Sequence, residues 1–308
     1  MQFSHFDLTY SIVARDPVSG ELGVAVQSHY FSVGSVVTWA RAGVGAVATQ
    51  SMAEVSYGPL GLELMSAGKS PDEALGALLR SDPKAESRQV AFVDSKGRVA
   101  AHTGKKCIPF AGHVLGDQYS CQANLMSNDT IWGAMDRSYK QNGNLPFAER
   151  LLATLEAAEA AGGDIRGKQS AAILIVSPEL SPNYWSGKTL ELRVEDHPEP
   201  LAELKRLIRI KRAYEWADKG DDLLSSGKVA ESRDAFERAH GYAPEIDELE
   251  YWRGITLLGS GRVDEARVIL YPLLKKDHRW VQVSKSLTEV GMLGGDALDE
   301  LLSGMHLP

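Results

Sequence analysis

The first fifty residues are punctuated too closely for helices. Four short apolar runs, each closed by turn residues, fill residues 9–50, and such runs read as strands. TYSIVARD, the turn DPVSG and ELGVAVQS predict a β-hairpin with strands near Thr9 to Arg15 and Glu21 to Ser28. SVVTWARAG and GVGAVATQ are two further strand candidates, and their Ala and Gly content suits close packing against a second layer. From Pro59 to Leu79 the period lengthens: LGLELMSAG ends on Gly68, and Ser70 with Asp72 and Glu73 opens a second helix. RQVAFVDSKGRVAAHT predicts a hairpin turning at Asp94 to Gly97, and GHVLGDQYSCQANL another around Gly116-Asp117. Helices follow near Asp129 to Lys140 and Pro146 to Ala161, then the strands SAAILIVS and TLELRVED, then a helix from Pro200 to about Arg212.

Clustered antiparallel strands separated by helix pairs predict an α+β fold, with two antiparallel sheets stacked face to face and helices outside, rather than a doubly wound parallel sheet. No Gly-x-Gly-x-x-Gly or Walker loop stands at a strand-to-helix turn, which speaks against a dinucleotide or nucleotide triphosphate enzyme. The 308 residues, 44% hydrophobic and 24% charged, suffice for two domains with real cores. A net charge of -8, from 41 acidic and 33 basic residues, argues against a nucleic-acid surface. No apolar run approaches the ~18 residues of a membrane span, and MQFSHFDLTYS lacks the basic and apolar regions of a signal peptide. A cytoplasmic protein is expected. Cys107 and Cys121 are too few and too far apart for a disulfide framework or a Cys-x-x-Cys pair and read as reduced core thiols. The eight histidines form no His-x-x-x-His pair, so neither a metal nor a cofactor is expected.

The tail from about Ala213 repeats itself. At a shift of 34 residues, Gly220 aligns with Gly254, Leu224 with Leu258, Gly227 with Gly261, Val229 with Val263, Glu231 with Glu265 and Arg233 with Arg267. That is the period of a helix-turn-helix repeat. Trp216, Gly220, Ser232, Phe236, Ala239 and Pro244, then Gly254, Ala266 and Leu270, make the segment similar to the tetratricopeptide pattern. Small residues would let paired helices approach while Phe236 and Leu270 fill the space between them. Two copies are fewer than such arrays need, so a further helix near Val281 to Leu302, or docking on the preceding domain, is expected to cover the open face. The predicted domains are thus 1–199, a connecting helix 200–212, and an all-α domain 213–308. In the connecting helix Lys205, Arg206, Arg209, Lys211 and Arg212 form either an anion site or a solvated face balanced by Glu199, Glu203 and Glu215.

Within residues 9–212, the segments TYSIVARD, GELGVAVQS, WARAGVGAVATQ, YGPLGLELM, HTGKKCIPFAGH, CQANLM, GGDIRGKQSAA and LRVEDHPEP resemble domain-of-unknown-function family 1028. That resemblance implies an αββα sandwich of the N-terminal-nucleophile (Ntn) hydrolase-like fold. It also implies a nucleophilic Thr, Ser or Cys at the head of the first strand, whose own α-amine takes the side-chain proton. An unperturbed amine pKa of about 7.7 to 8.0 suits that task. Thr9 is the residue of the right type, and Ser11 lies two residues along on the same face. The chain departs from the pattern in two ways. Met1 to Leu8 precede Thr9, so its nitrogen is an amide unless that leader is removed. The first lysine is Lys69, with only Arg15 and Arg41 before it, and arginine is a poor proton acceptor.

Other polar residues sit at strand ends that would line the cleft. Ser28 and His29 close the second strand, Gln50 and Ser51 the fourth, and Gln122 and Asn124 share a face of a later strand. Amide side chains there could form an oxyanion hole. His29 and His102 are the candidate acid-base groups, each also readable as an ordinary strand histidine. Arg166 could meet a substrate carboxylate in two-point fashion or pair with Asp164. Asp196-His197-Pro198 reads as a helix-start turn. The expected activity is hydrolysis of an amide or cyclic C-N bond in a small molecule, by the Thr9 or Ser11 hydroxyl or a bound water. The alternatives are a small-ligand-binding module without turnover and a scaffold acting through the repeats. Partners would be a small-molecule substrate, a protein at the repeats and a second copy of the chain in a homo-oligomer, with no nucleic acid and no membrane.

Overall fold

The computed structural model describes residues 9–183 and 185–303; the leader Met1 to Leu8 lies outside the described residues. Backbone contacts divide the chain into two units, residues 1–208 and 209–308.

In the first unit, β1 (Thr9–Arg15) and β2 (Leu22–Ser28) form the expected hairpin in continuous antiparallel register from Thr9 opposite Ser28 to Arg15 opposite Leu22. Its turn is held by Asp16, whose Oδ2 accepts from the Ser19 backbone N–H at 2.8 Å, the local bonding that makes Asp a turn former. β1 also pairs with β8 (Tyr119–Ala123), which pairs with β7 (Gly112–Gly116). β2 pairs with β9 (Ser170–Val176), which pairs with β10 (Lys188–Val194). The result is a six-stranded antiparallel sheet in the order β10-β9-β2-β1-β8-β7. The second sheet, also antiparallel, has the order β3-β4-β5-β6, built from β3 (Thr38–Arg41), β4 (Gly45–Ser51), β5 (Arg88–Asp94) and β6 (Val99–Thr103).

Side-chain alternation sorts three cores. Val13, Val24, Val26, Ala46, Ala48, Ala91 and Val93 pack between the sheets. The opposite face of the six-stranded sheet, with Ile12, Ala25, Cys121 and Ile173, buries against α4 (Ile131–Gln141), α5 (Phe147–Ala160) and Leu201, Leu204 and Ile208. The opposite face of the four-stranded sheet, with Val47, Val90 and Phe92, buries against α2 (Tyr57–Ser66) and α3 (Pro71–Ser81). These are four layers, helix, sheet, sheet and helix: the αββα sandwich the sequence implied. Both cysteines are buried free thiols.

Two local expectations differ. The run read as the third strand begins with a short helix, α1 (Gly34–Val37), because the Thr38 hydroxyl donates to the Gly34 carbonyl and the Trp39 ring N–H to the Val36 carbonyl, closing a turn that β-branched residues alone would not favour. The connecting helix does not stop near Arg212: α6 runs Pro200–Ser225. No Gly or Pro interrupts it before Gly220, and Lys211 and Arg212 both pair with Glu215. Its other cations are paired too, Lys205 with Glu156, Arg206 with Glu203 and Arg209 with Glu245, which is the solvated-face reading.

The second unit is helical. After α6 come α7 (Val229–Tyr242), α8 (Asp247–Gly259), α9 (Val263–Lys276), α10 (Arg279–Glu289) and α11 (Gly295–Leu302). Gly227 and Gly261 turn successive pairs with φ of 77° and 75°, a region that costs a residue with a Cβ. A Cβ on Gly220 would lie 2.8 Å from Phe236, and one on Gly254 would lie 2.5 Å from Leu270, so the repeat encodes close helix approach. The final helix expected over Val281 to Leu302 is instead a pair, α10 and α11, divided at Gly291 with φ 76°.

Candidate functional site

The space between the sheets changes character along the strands. At the Arg15 end of β1 it is filled by Val and Ala. At the Thr9 end the same inner faces carry Thr9, Ser11, Ser28, Gln50, Gln89, Gln122 and Asn124, all fully buried. Period-two alternation places them there: Ser11 shares a face with Val13, Gln50 with Ala48 and Gln89 with Ala91. Burying so many amides is costly unless their groups are paired, and the pairing forms one directed chain. The Ser120 hydroxyl donates to Gln122 Oε1 (2.8 Å), Gln122 Nε2 to the Ser11 hydroxyl (2.7 Å), and Ser11 to Gln50 Oε1 (2.6 Å). Gln50 Nε2 donates to Gln89 Oε1 (2.6 Å) and Gln89 Nε2 to the Thr103 hydroxyl (2.9 Å), which lies 2.8 Å from His113 Nδ1.

Thr103 accepts from Gln89 Nε2, and its hydroxyl meets His113 Nδ1, which accepts or donates according to the ring tautomer. Burial, with a smaller contribution from His102, lowers the His113 pKa below its usual 6.5 and favours the neutral ring.

Thr9 sits at the head of this arrangement. Its hydroxyl donates to Ser28 Oγ at 3.2 Å. Its carbonyl oxygen accepts from three N–H groups: the Asn124 backbone at 3.0 Å, Gln50 Nε2 at 3.3 Å and Asn124 Nδ2 at 3.4 Å. The Asn124 amide also donates to Gln89 Oε1 at 2.9 Å.

The structure thus brings together Thr9, Ser11, Ser28, Gln50, Gln122 and Asn124. It does not bring His29, His102, Ser51 or Arg166 into the cluster. His29 is exposed beyond the end of β2, its backbone N–H donating to Asp164 Oδ2 at 3.4 Å. His102 is opposite Val90, on the outer face of the four-stranded sheet, with Nε2 3.0 Å from the Ala85 carbonyl. Ser51 points to that same outer side and hydrogen-bonds the Cys107 thiol, whose pKa burial raises. Arg166 is clamped on the buried Asp164 carboxylate at 2.7 Å. His197 Nδ1 accepts the Glu199 backbone N–H at 3.0 Å just ahead of α6, the helix-start turn read from sequence. Four members of the hydrogen-bonded chain, Gln89, Thr103, His113 and Ser120, were missed. Gln89 was legible from its alternation with Ala91 and Val93, and His113 from the hairpin around Gly116-Asp117, which sets it opposite Gln122.

Chemically, Ser11 is bracketed by amides. Its proton is directed at a carboxamide oxygen, which is no base at neutral pH, so neither Gln50 nor Gln122 activates it as a nucleophile. Thr9 has a hydroxyl partner instead, and its own nitrogen would become a base if freed. Among the described residues, no three His, Cys, Asp or Glu side chains converge to hold a metal.

The four layers, with Thr9 at the head of a central strand facing a polar cluster between the sheets, make the αββα architecture that the family resemblance implied. Residues 9–204, well over half of the chain, match the model of the family of unknown function DUF1028, and the chain belongs to that family. Among solved structures it is similar to protein SPO2555 from Silicibacter pomeroyi, described as DUF1028. The two are 31% identical with a TM-score of 0.59, covering 66% of this chain and 88% of that one. Anbu (ancestral beta-subunit) from Yersinia bercovieri is 12% identical over 64% of this chain and 92% of that one, with a TM-score of 0.32. No curated protein matches the chain. Among the described residues no helix is long and apolar enough to cross a membrane.

Proposed function

We propose that this protein is a hydrolase of the N-terminal-nucleophile type, acting on an amide or cyclic C-N bond of a small molecule, with Thr9 as nucleophile once Met1 to Leu8 are removed. The observation that carries this reading is the contrast between the two hydroxyls. Ser11 is locked between Gln50 and Gln122, whereas Thr9 heads the strand with its carbonyl fixed by three donors and its hydroxyl on Ser28. Freed at its nitrogen, Thr9 has the two parts of the mechanism on one residue: Oγ1 attacks the substrate carbonyl while the α-amine takes its proton.

Mass spectrometry of the purified protein and assays of Thr9→Ala and Ser11→Ala against small amides and cyclic ureides test the proposal. Loss of Met1 to Leu8 is expected. Turnover should vanish in Thr9→Ala and persist per folded molecule in Ser11→Ala. A retained leader, or an active Thr9→Ala protein, defeats the reading. The buried polar side chains between the sheets favour a second reading, a small-ligand-binding module, which takes over if the processed wild type turns over nothing. The helical unit fits a protein-docking role beside either, and deletion of residues 213–308 tests whether a partner is lost.

A further inference from the structure

One acceptor in the cluster has no donor. Asn124 is fully buried, and its Oδ1 has no hydrogen-bond partner. The amide cannot simply be turned over, because Nδ2 already faces two acceptors, Gln89 Oε1 at 2.9 Å and the Thr9 carbonyl at 3.4 Å. Exchanging the ends would set oxygen against oxygen twice. An unpaired buried carbonyl is costly enough to call for an explanation.

The direction of β1 supplies one. In an antiparallel strand the N–H and C=O of one residue point toward the same neighbour. The Thr9 carbonyl accepts from the Asn124 backbone N–H, so the Thr9 nitrogen also faces the β8 side, where Asn124 lies. As a peptide nitrogen it has a single proton fixed in the amide plane. As a free amine it has two, and as an ammonium three, and they rotate.

Building on the Thr9 reading above, we propose that Asn124 is a positioning residue whose Oδ1 accepts a proton of the freed Thr9 α-amine. Holding one N–H stops the amine from rotating and leaves its lone pair for the Thr9 hydroxyl proton. The orphaned oxygen is then the half of a contact that processing completes.

The test uses the full chain with a specific protease site placed ahead of Thr9, so that a Thr9 amine is generated whether or not the protein processes itself. The α-amine is titrated through the pH dependence of its acylation, read by mass spectrometry, in wild type, Asn124→Leu and Asn124→Asp. An acceptor favours the ammonium, so Asn124→Leu should lower the amine pKa by about one pH unit, and Asn124→Asp should raise it by a similar amount. The Asn124→Asp shift follows from charge alone wherever the two groups are near, so the Asn124→Leu arm carries the hydrogen-bond test and Asn124→Asp reports that the side chain faces the amine. An Asn124→Leu value equal to wild type, or shifts in the same direction, overturn the proposal. A leader retained by the unmodified protein bears on the hydrolase reading and leaves this titration unaffected.

Discussion

Replacing Ser11 with alanine should damage stability far more than the loss of one hydroxyl suggests. The Ser11 oxygen is the middle of the amide chain, donating to Gln50 Oε1 at 2.6 Å and accepting from Gln122 Nε2 at 2.7 Å. All three side chains are fully buried. In Ser11→Ala one buried acceptor and one buried donor lose their partner together, and leaving such a group unsatisfied costs about 1–3 kcal/mol each. The joint loss is therefore about 2–6 kcal/mol, with a central figure of about 4. For a unit the size of residues 1–208, 1 kcal/mol moves the melting temperature by roughly 2–4 °C, so the variant should melt about 8–16 °C lower. Differential scanning calorimetry of the full chain measures this, with Ser11→Cys, which keeps a weak donor and acceptor, expected between the two. A Ser11→Ala protein melting within about 2 °C of wild type would refute the claim that this hydroxyl closes the chain. Turnover per folded molecule adds an independent check, since a nucleophile's loss costs orders of magnitude in rate and a bracing hydroxyl's does not.

Two further outcomes are expected. In the helical unit, Gly254→Ala should destabilise: its Cβ would lie 2.5 Å from Leu270, and overpacking of about 1–3 kcal/mol exceeds the roughly 1 kcal/mol that alanine gains in a helix. Gly241→Ala in α7, where a Cβ meets nothing within 4 Å, should stabilise by up to about 1 kcal/mol, and thermal melts showing the same sign for both would contradict the packing. At His113 the folded-state pKa lies below the ordinary 6.5, so the unfolded chain binds the proton more readily. The stability from the neutral ring is present above pH 6.5 and is lost as pH falls through the lowered folded value. Denaturant melts across that window should show a slope that His113→Gln reduces, and an unaltered slope would count against a half-buried neutral imidazole.

Most of the fold was legible because its signals are local. Asp16 and the following turn, the Gly116-Asp117 hairpin, and the capping box of Ser70 and Glu73, present on both sides at the start of α3, each fix structure within a few residues. The misreadings occur where distant packing overrides local preference. The Ser35-Val36-Val37 run reads as strand, yet a Cβ on Gly34 would meet Ala172 at 2.5 Å, so the close approach of α1 to β9 is encoded partly by a residue far along the chain. The end of α6 was misplaced for the opposite reason. No residue stops it, and the change of unit at Ile208 is a change of packing partners that leaves no mark on the helix's own sequence.

The site was legible by type and face but not by partnership. Alternation puts Thr9, Ser11, Gln50, Gln122 and Asn124 on inward faces, and an amide on an otherwise apolar strand face is a conspicuous signal. Which amide bonds which is set by how the two sheets stack, and stacking is not written in any one strand. That is why His29 and His102, chosen for being histidines near strand ends, stand outside the chain, while His113 ends it. The distinction between Thr9 and Ser11 follows from the same stacking. Two residues apart on one face, they are equivalent as sequence, but Gln50 reaches the Ser11 hydroxyl from the opposite sheet and only the carbonyl of Thr9. The opposing sheet thereby occupies one hydroxyl with an amide and leaves the other to Ser28, and this asymmetry makes Thr9 the better nucleophile candidate.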